Sequence, residues 1–459
     1  MRKNLRKAIG WMAVTLLTGG PLAHASSEVN STPDASEMSA SEWRRQQLIA
    51  ADKSDKIMTQ AEKISGLLGQ YIFMQTKYDS NHDRAFQVIF GQYLSWFQTF
   101  IGDYDGAAAS FSIAQPRQDD DGPSPLGAGY TLKPAADVIV EMAKTRRAVF
   151  FNEAHSAPIT RTLTIELLPK LRELGYNYFA AETLYDTDHE LQKRGYATPK
   201  SGFYVNEPLY GEMIHTALRL GFKVIPYDVE NAGAGDLRER AGAERLYQEV
   251  FKKDPTAKLI VNAGFAHVQK TGKYLRGSSM GEFFKQISGI DPLTIEQTMM
   301  IQHGRSNQDH PYYAAIVQHL KLTQPSVFVA ADGKPWTLKP DKYDMSVVFP
   351  TYQVIKQRPN WLVLNGERVA YSLGSEICRN QYPCLIEAFY SGEDDNAVAA
   401  DRTLLNVIDS QSPANERLLN GIVQSESRLF LRPGSYHIKV TDKGNRAVGS
   451  RDITIGAAQ

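Results

Sequence analysis

The chain has 459 residues, 42% of them hydrophobic and 22% charged, with 51 basic residues balanced by 51 acidic ones. That length supports a full core and exceeds one average domain, while zero net charge gives no sign of a polyanionic partner, so nucleic acid is not an expected partner. Cys378 and Cys384 are the only cysteines and lie close together. In an oxidising compartment this favours a small-loop disulfide over a redox or zinc pair.

The first residues point to that compartment. Arg2, Lys3, Arg6 and Lys7 precede an apolar run from Ile9 to Leu17, followed by Gly19-Gly20-Pro21 and Ala23-His24-Ala25. A basic segment, a short apolar segment and an A-x-A site form a secretory signal peptide, with cleavage expected after Ala25. The apolar run is shorter than the ~20 residues of a spanning helix. No cysteine follows it to take a lipid. The mature protein is expected to be soluble, periplasmic or secreted, with no membrane span after cleavage. Residues 26–41, rich in Ser, Glu, Ala and Asn, read as a disordered leader.

Residues 42–118 read as a helical segment. Periodic apolar positions begin at Trp43 and continue through Ile49, Ile57, Ala61, Ile64 and Leu67; a second stretch, Ala85 to Phe100, carries Phe86, Ile89, Tyr93, Trp96 and Phe97 on one broad face. Gly102 to Phe111 resembles the turn and second helix of a tetratricopeptide repeat. One such unit cannot bury its face alone and no second copy is present, so a helical pair packed on the main domain is expected rather than a peptide-binding array. Asp119-Asp120-Asp121-Gly122-Pro123-Ser124-Pro125 is a turn-rich acidic linker. It lacks the alternating ligands and terminal Glu of an EF-hand loop.

From 126 to 405 the pattern alternates strand and helix. A helix around Ala135–Lys144 leads into the strand Ala148–Phe151, which ends in Asn152-Glu153-Ala154-His155. A helix follows over Ile159–Leu174, with Pro169 expected to kink it and Gly175 to stop it. The strand Tyr178–Ala181 ends in Glu182. A helix opened by Asn206-Glu207-Pro208 precedes the strand Phe222–Tyr227, which ends in Asp228 and Glu230. A helix over Leu237–Lys253 leads to the strand Lys258–Val261, which runs into Asn262-Ala263-Gly264-Phe265-Ala266-His267. Further strands are expected at 294–301, 326–330, 345–349 and 361–364. Strands this apolar argue for an α/β fold with a mainly parallel sheet and helices on both faces. Residues 406–459 form a small C-terminal antiparallel β module: Tyr436, Ile438 and Val440 alternate, and Pro433-Gly434 and Lys443-Gly444-Asn445 mark turns.

In such sheets ligands bind beyond the carboxyl ends of the strands. Glu153, His155, Glu182, Asp228, Glu230 and His267 all fall there, whereas scattered carboxylates and imidazoles would fall on helix faces. The motifs Asn152-Glu153-Ala154-His155, Ala181-Glu182-Thr183, Leu237-Arg238-Glu239 with Ala243 and Leu246, and Asn262 to His267 resemble, in order, those of the erythromycin esterase/ChaN/Tiki superfamily. Asn152 stands where that superfamily usually has glycine, and the Glu-x-His spacing is closer to its ChaN-like branch. The resemblance covers roughly residues 135–303. It implies the fold first, and then the activities found in the superfamily: ester hydrolysis, metal-dependent peptide hydrolysis and haem binding.

His155 is the candidate general base, deprotonating water for attack on a carbonyl, because imidazole suits proton transfer near neutral pH. Glu153 and Glu182 would orient that imidazole or the water, or act as metal ligands; buried carboxylates repel one another unless a cation or a shared proton intervenes. Arg161 and Arg238 are candidate counter-charges and substrate-binding residues, together with Asp228, Glu230, Tyr185 and Tyr210 around the crevice. His267 would stabilise an oxyanion or complete a metal-ligand set with Glu153, His155 and Glu182, and Gly264 would allow close approach. The cofactor stays open between a divalent metal such as Mn or Zn and haem, since tyrosinate is a known haem ligand. The leading expectation is an exported hydrolase of an ester or amide in a small-molecule or peptide substrate. The alternative is a haem- or iron-binding protein using the same crevice without turnover.

Overall fold

The structure is a computed structural model that describes residues 39–229, 232–274, 277–394, 396–406 and 426–456. The expected signal peptide, nearly all of the leader, and Glu230 lie outside the described residues. Three long helices open the described chain: α1 (Ala40–Ala61), α2 (Leu67–Asp79) and α3 (Arg84–Phe100), followed by the short α4 (Tyr104–Ser110). The Asp83 carboxylate caps α3 by accepting the Phe86 N–H at 2.8 Å. Almost every residue of α3 is buried, because its aromatic face packs inward. The Trp96 ring lies edge-on to Phe203, 5.6 Å between centroids, so the helical segment shares one core with the α/β unit.

The strands of the α/β unit are, in chain order, β1 (Thr131–Pro134), β2 (Ala148–Glu153), β3 (Tyr178–Ala181), β4 (Lys223–Pro226), β5 (Leu259–Gly264), β6 (Leu293–Glu296), β7 (Ser326–Val329) and β8 (Met345–Ser346). Six of them form the central parallel sheet, in the order β4-β3-β5-β2-β6-β8. Successive side chains of a strand face opposite sides. Accordingly, Val149 and Phe151 of β2 join one core cluster, while Ala148 and Phe150 join another. Both faces are therefore dry, as the unbroken apolar runs require. Helices α5 (Ala135–Ala143), α6 (Ile159–Glu173), α7 (Pro208–Arg219), α8 (Asp236–Leu246) and α9 (Met280–Ser288) accompany these strands. Helix α6 runs on through Pro169. A π-helical turn over Tyr247–Phe251 extends α8.

Several expected strands take different roles. The segment expected at 294–301 is strand only over Leu293–Glu296. That expected at 326–330 forms β7, which pairs antiparallel with β1 outside the main sheet. Residues 361–364 are not a strand; they lie in a 3-10 segment, Asn360–Gly366, with Leu364 and Asn365 in left-handed conformations. The short apolar run Trp361–Leu364 carries no period that separates the two outcomes. The acidic 119–125 stretch is pinned to the fold, with Asp121 accepting from Lys339 at 2.7 Å and lying 3.2 Å from His310.

The C-terminal unit is antiparallel, as expected. Its four-stranded sheet draws two members from before residue 406, Cys384–Tyr390 and Asp401–Leu405, alongside Gly434–Asp442 and Ala447–Ile455. Cys378 and Cys384 form the expected disulfide, with Cα atoms 5.9 Å apart. Among the described residues, no helix is long and apolar enough to cross a membrane.

Candidate active site

Because the six strands are parallel, the C-terminal ends of β2, β3, β4 and β5 share one edge, with Glu153 in register with Gly264 and Ala181 with both Asn262 and Pro226. Beyond β2 the chain turns sharply: the Ala154 N–H donates to Thr160 Oγ1 at 3.1 Å and the Ala157 N–H donates to the Ala154 carbonyl. This turn folds the His155 ring back over the strand ends. Beyond β3 and β5, Thr183 and Phe265 adopt φ of 59° and 47°. Left-handed backbone at non-glycine residues is costly, more so at a β-branched one, and such strain concentrates at functional sites.

Glu153 is fully buried and both its oxygens are engaged. Its Oε1 lies 2.9 Å from His155 Nδ1 and accepts from Arg161 Nη2 at 2.8 Å; its Oε2 accepts from Arg161 Nε at 2.9 Å and from Asn262 Nδ2 at 2.7 Å. Burial would raise this carboxyl, but the Arg161 guanidinium and His155 overcome it and hold it at about 2. Arg161, expected to meet substrate, is instead 1% exposed, and its remaining edge donates to Glu207 Oε2 at 2.6 Å. Its single positive charge is shared between two buried carboxylates and fixes their position. Glu207 in turn caps α7, accepting from the Leu209 and Tyr210 N–H groups with Pro208 at the first helical position, and accepts from Tyr104 Oη at 2.9 Å.

The His155 ring is stacked on Tyr204, with centroids 4.0 Å apart, and meets the edge of Phe265 at 5.2 Å. Its Nε2 lies 3.7 Å from Glu182 Oε2, too far for a hydrogen bond. Gly264 backs this nitrogen so closely that a Cβ there would lie 2.3 Å from it.

A second carboxylate–imidazole pair faces the first. His267 Nδ1 lies 2.7 Å from Glu239 Oε2, and its Nε2 lies 3.4 Å from Glu182 Oε1, 3.1 Å from Arg238 Nη1 and 3.3 Å from Tyr274 Oη. Burial disfavours the charged ring, but Glu239 and Glu182 outweigh it and push His267 up to about 9. The imidazolium supplies positive charge where Glu182, Asp228 and Glu239 crowd around Arg238. Glu182 accepts from the Gly264 N–H at 2.6 Å and from Arg238 Nη2 at 2.8 Å, while Arg238 also reaches Asp228 at 3.0 Å. Burial would raise Glu182, yet His267, Arg238 and His155 hold it well below the usual carboxylate range.

The structure thus brings together Glu153, His155, Glu182, His267, Arg161, Arg238 and Asp228. Tyr210 is buried nearby, donating its hydroxyl to the Glu182 carbonyl at 2.5 Å. Tyr185 sits half-buried at the margin of the larger core cluster. Glu207, Tyr104, Tyr204 and Tyr274 were not among the expected site residues. Glu239 and Asn262 stood inside the quoted motifs without a role assigned to them.

The donor set does not fit a metal ion. The Glu153 oxygens are taken by Arg161, Asn262 and His155, and those of Glu182 by a backbone N–H and by the Arg238 guanidinium. The described residues contain no cluster of His, Cys, Asp and Glu with ligating geometry. Nor does Tyr210 suit haem ligation as a phenolate, because burial and the Glu153 and Glu182 carboxylates push its hydroxyl well above the ordinary value.

No protein-family model and no curated protein matches the chain. Among solved structures it aligns with the type III effector HopBA1, at 15% identity and a TM-score of 0.27, covering 40% of this chain and 95% of that one. It also aligns with RRSP, a MARTX toxin effector domain from Vibrio vulnificus, at 12% identity and TM-score 0.27, over 56% of this chain and 45% of that one. A bacterial protein toxin aligns at 12% identity and TM-score 0.28, over 59% and 68%. Superpositions this loose carry no argument. The chain is a mixed α/β protein with a six-stranded parallel sheet, an N-terminal helical segment and a C-terminal antiparallel sheet.

Proposed function

We propose that the protein is an exported hydrolase of the erythromycin esterase/ChaN/Tiki type, cleaving an ester or amide bond by general-base catalysis without a metal. The observation that supports this reading most is the Glu153–His155 pair. Glu153, immobilised by Arg161 and Asn262, accepts the Nδ1 proton and leaves the Nε2 lone pair as the base. Water attacks the carbonyl carbon as its proton passes to Nε2. The resulting imidazolium is stabilised by Glu153, the oxyanion by the cationic His267 and Arg238, and the leaving group departs with the proton returned by His155.

The test is hydrolysis of a panel of aryl and alkyl esters and amides by the full chain, with and without chelator. Turnover that survives chelator and falls by about 10²-fold or more in His155→Ala supports the reading. Turnover abolished by chelator, or unchanged in His155→Ala, overturns it.

A further inference from the structure

A cleft partly open to solvent lies beside the candidate site and shares with it Phe265 and the turn after β2. Ala154 and Ser156, the neighbours of His155, line it, as does Phe265, whose ring meets the edge of His155 at 5.2 Å. The opposite wall comes from the helical segment, through Tyr104, Ala108 and Phe111, and a third wall is built by Tyr352 and Trp361. Tyr104 and Trp361 meet edge to face at 5.0 Å. The lining contains no Asp, Glu, Lys or Arg; its single imidazole is that of His303, engaged by Asp309 at 3.1 Å. Several aromatic rings and no formally charged side chain favour an uncharged aromatic group, whose polar atoms can meet Ser112, Gln115, Ser156 or Gln302, over a carboxylate or an ammonium, which would find no counter-charge in the lining.

We infer that this pocket receives a neutral aromatic group carried by the substrate, and that α4 and the residues following it complete the pocket. The inference rests on the proposed hydrolase site for the identity of the reacting end, but the pocket itself does not depend on catalysis. It distinguishes two regions of the substrate: a reacting end among His155, Arg238 and His267, and an uncharged aromatic end held between α4 and the loop after β2.

Two measurements keep the two readings apart. The first is saturable binding of N-phenyl-1-naphthylamine, a neutral aromatic fluorophore, to the full chain. Ala108→Phe fills the pocket from α4 and Ile113→Trp fills it from the following loop; each is expected to weaken binding at least about tenfold with an unchanged circular dichroism spectrum, whereas His155→Ala leaves affinity within about twofold. The second is the ratio of kcat/KM for phenylacetyl over acetyl esters of one alcohol, expected to fall about tenfold in the filled variants. Binding lost in the filled variants with no ester cleaved by any form sinks the hydrolase reading and leaves the pocket as a binding site. Absence of saturable binding, binding unaffected by both filled variants, or an unchanged ester ratio overturns the inference.

Discussion

Glu153 Oε1 lies 2.9 Å from His155 Nδ1, and the same carboxylate is clasped on both oxygens by Arg161. A carboxylate held this way cannot rotate away from the imidazole. The ring orientation is therefore set before any substrate arrives, which is the preorganisation that general-base catalysis needs.

Removing the clasp should be felt in stability first. Arg161→Met leaves Glu153 and Glu207 buried without their shared cation and is expected to cost about 3 to 5 kcal/mol, measured by urea unfolding at neutral pH. Glu153 is held at about 2 against an ordinary 4.5, so the stability it contributes is present above pH 4.5 and is lost as pH falls toward 2. The wild-type protein should lose stability steeply through that window, and a Glu153→Gln variant should lose less.

Gly264→Ala tests the packing around the base. The added Cβ would lie 2.3 Å from His155 Nε2 and 2.9 Å from Glu182 Oε2, and neither group can retreat because each is fixed from behind. The variant should fold, lose about 1 to 3 kcal/mol to overpacking, and lose hydrolytic activity out of proportion to that loss. Wild-type activity in Gly264→Ala would show that the imidazole tolerates displacement.

His267 gives a pH dependence of the opposite sign. Its folded value of about 9 lies above the ordinary 6.5, so its contribution to stability is complete below pH 6.5 and disappears as pH rises through 9. Thermal unfolding of the wild type should show decreasing stability across that interval, and His267→Gln should flatten the decline. A parallel decline in both proteins would mean that His267 is not the group responsible.

Trp96 links the helical segment to the site. It packs against Phe203 and Tyr204, and Tyr204 is the ring on which His155 stacks. Trp96→Ala should cost about 3 to 5 kcal/mol and, where the protein still folds, lower kcat with little change in KM.

The strand ends were legible in the sequence because an unbroken apolar run must be buried on both faces, and a charged residue right after it marks where the chain leaves the sheet. Glu153, His155, Glu182, Asp228 and His267 all project from that edge. What holds them was less legible. Glu207 could be read as a helix opener beside Pro208, but nothing local signals that its carboxylate also meets Arg161, 46 positions earlier. Asn152 finds its role only beyond its own strand: its Oδ1 accepts the Gln297 N–H at 2.6 Å, tying β2 to the segment after β6. The mixed origin of the antiparallel sheet was hidden for the same reason, since pairing of Glu387 with Lys439 is a long-range choice that period-two alternation does not encode.

The most direct test of the Glu153–His155 arrangement is the tautomer of His155, read from ¹⁵N NMR shifts of histidine-labelled protein and assigned with His155→Gln. The expected result near neutral pH is a protonated Nδ1 and an unprotonated Nε2, with that preference lost in Glu153→Gln. A proton on Nε2 in the wild type, with Nδ1 bare, would contradict His155 as the base.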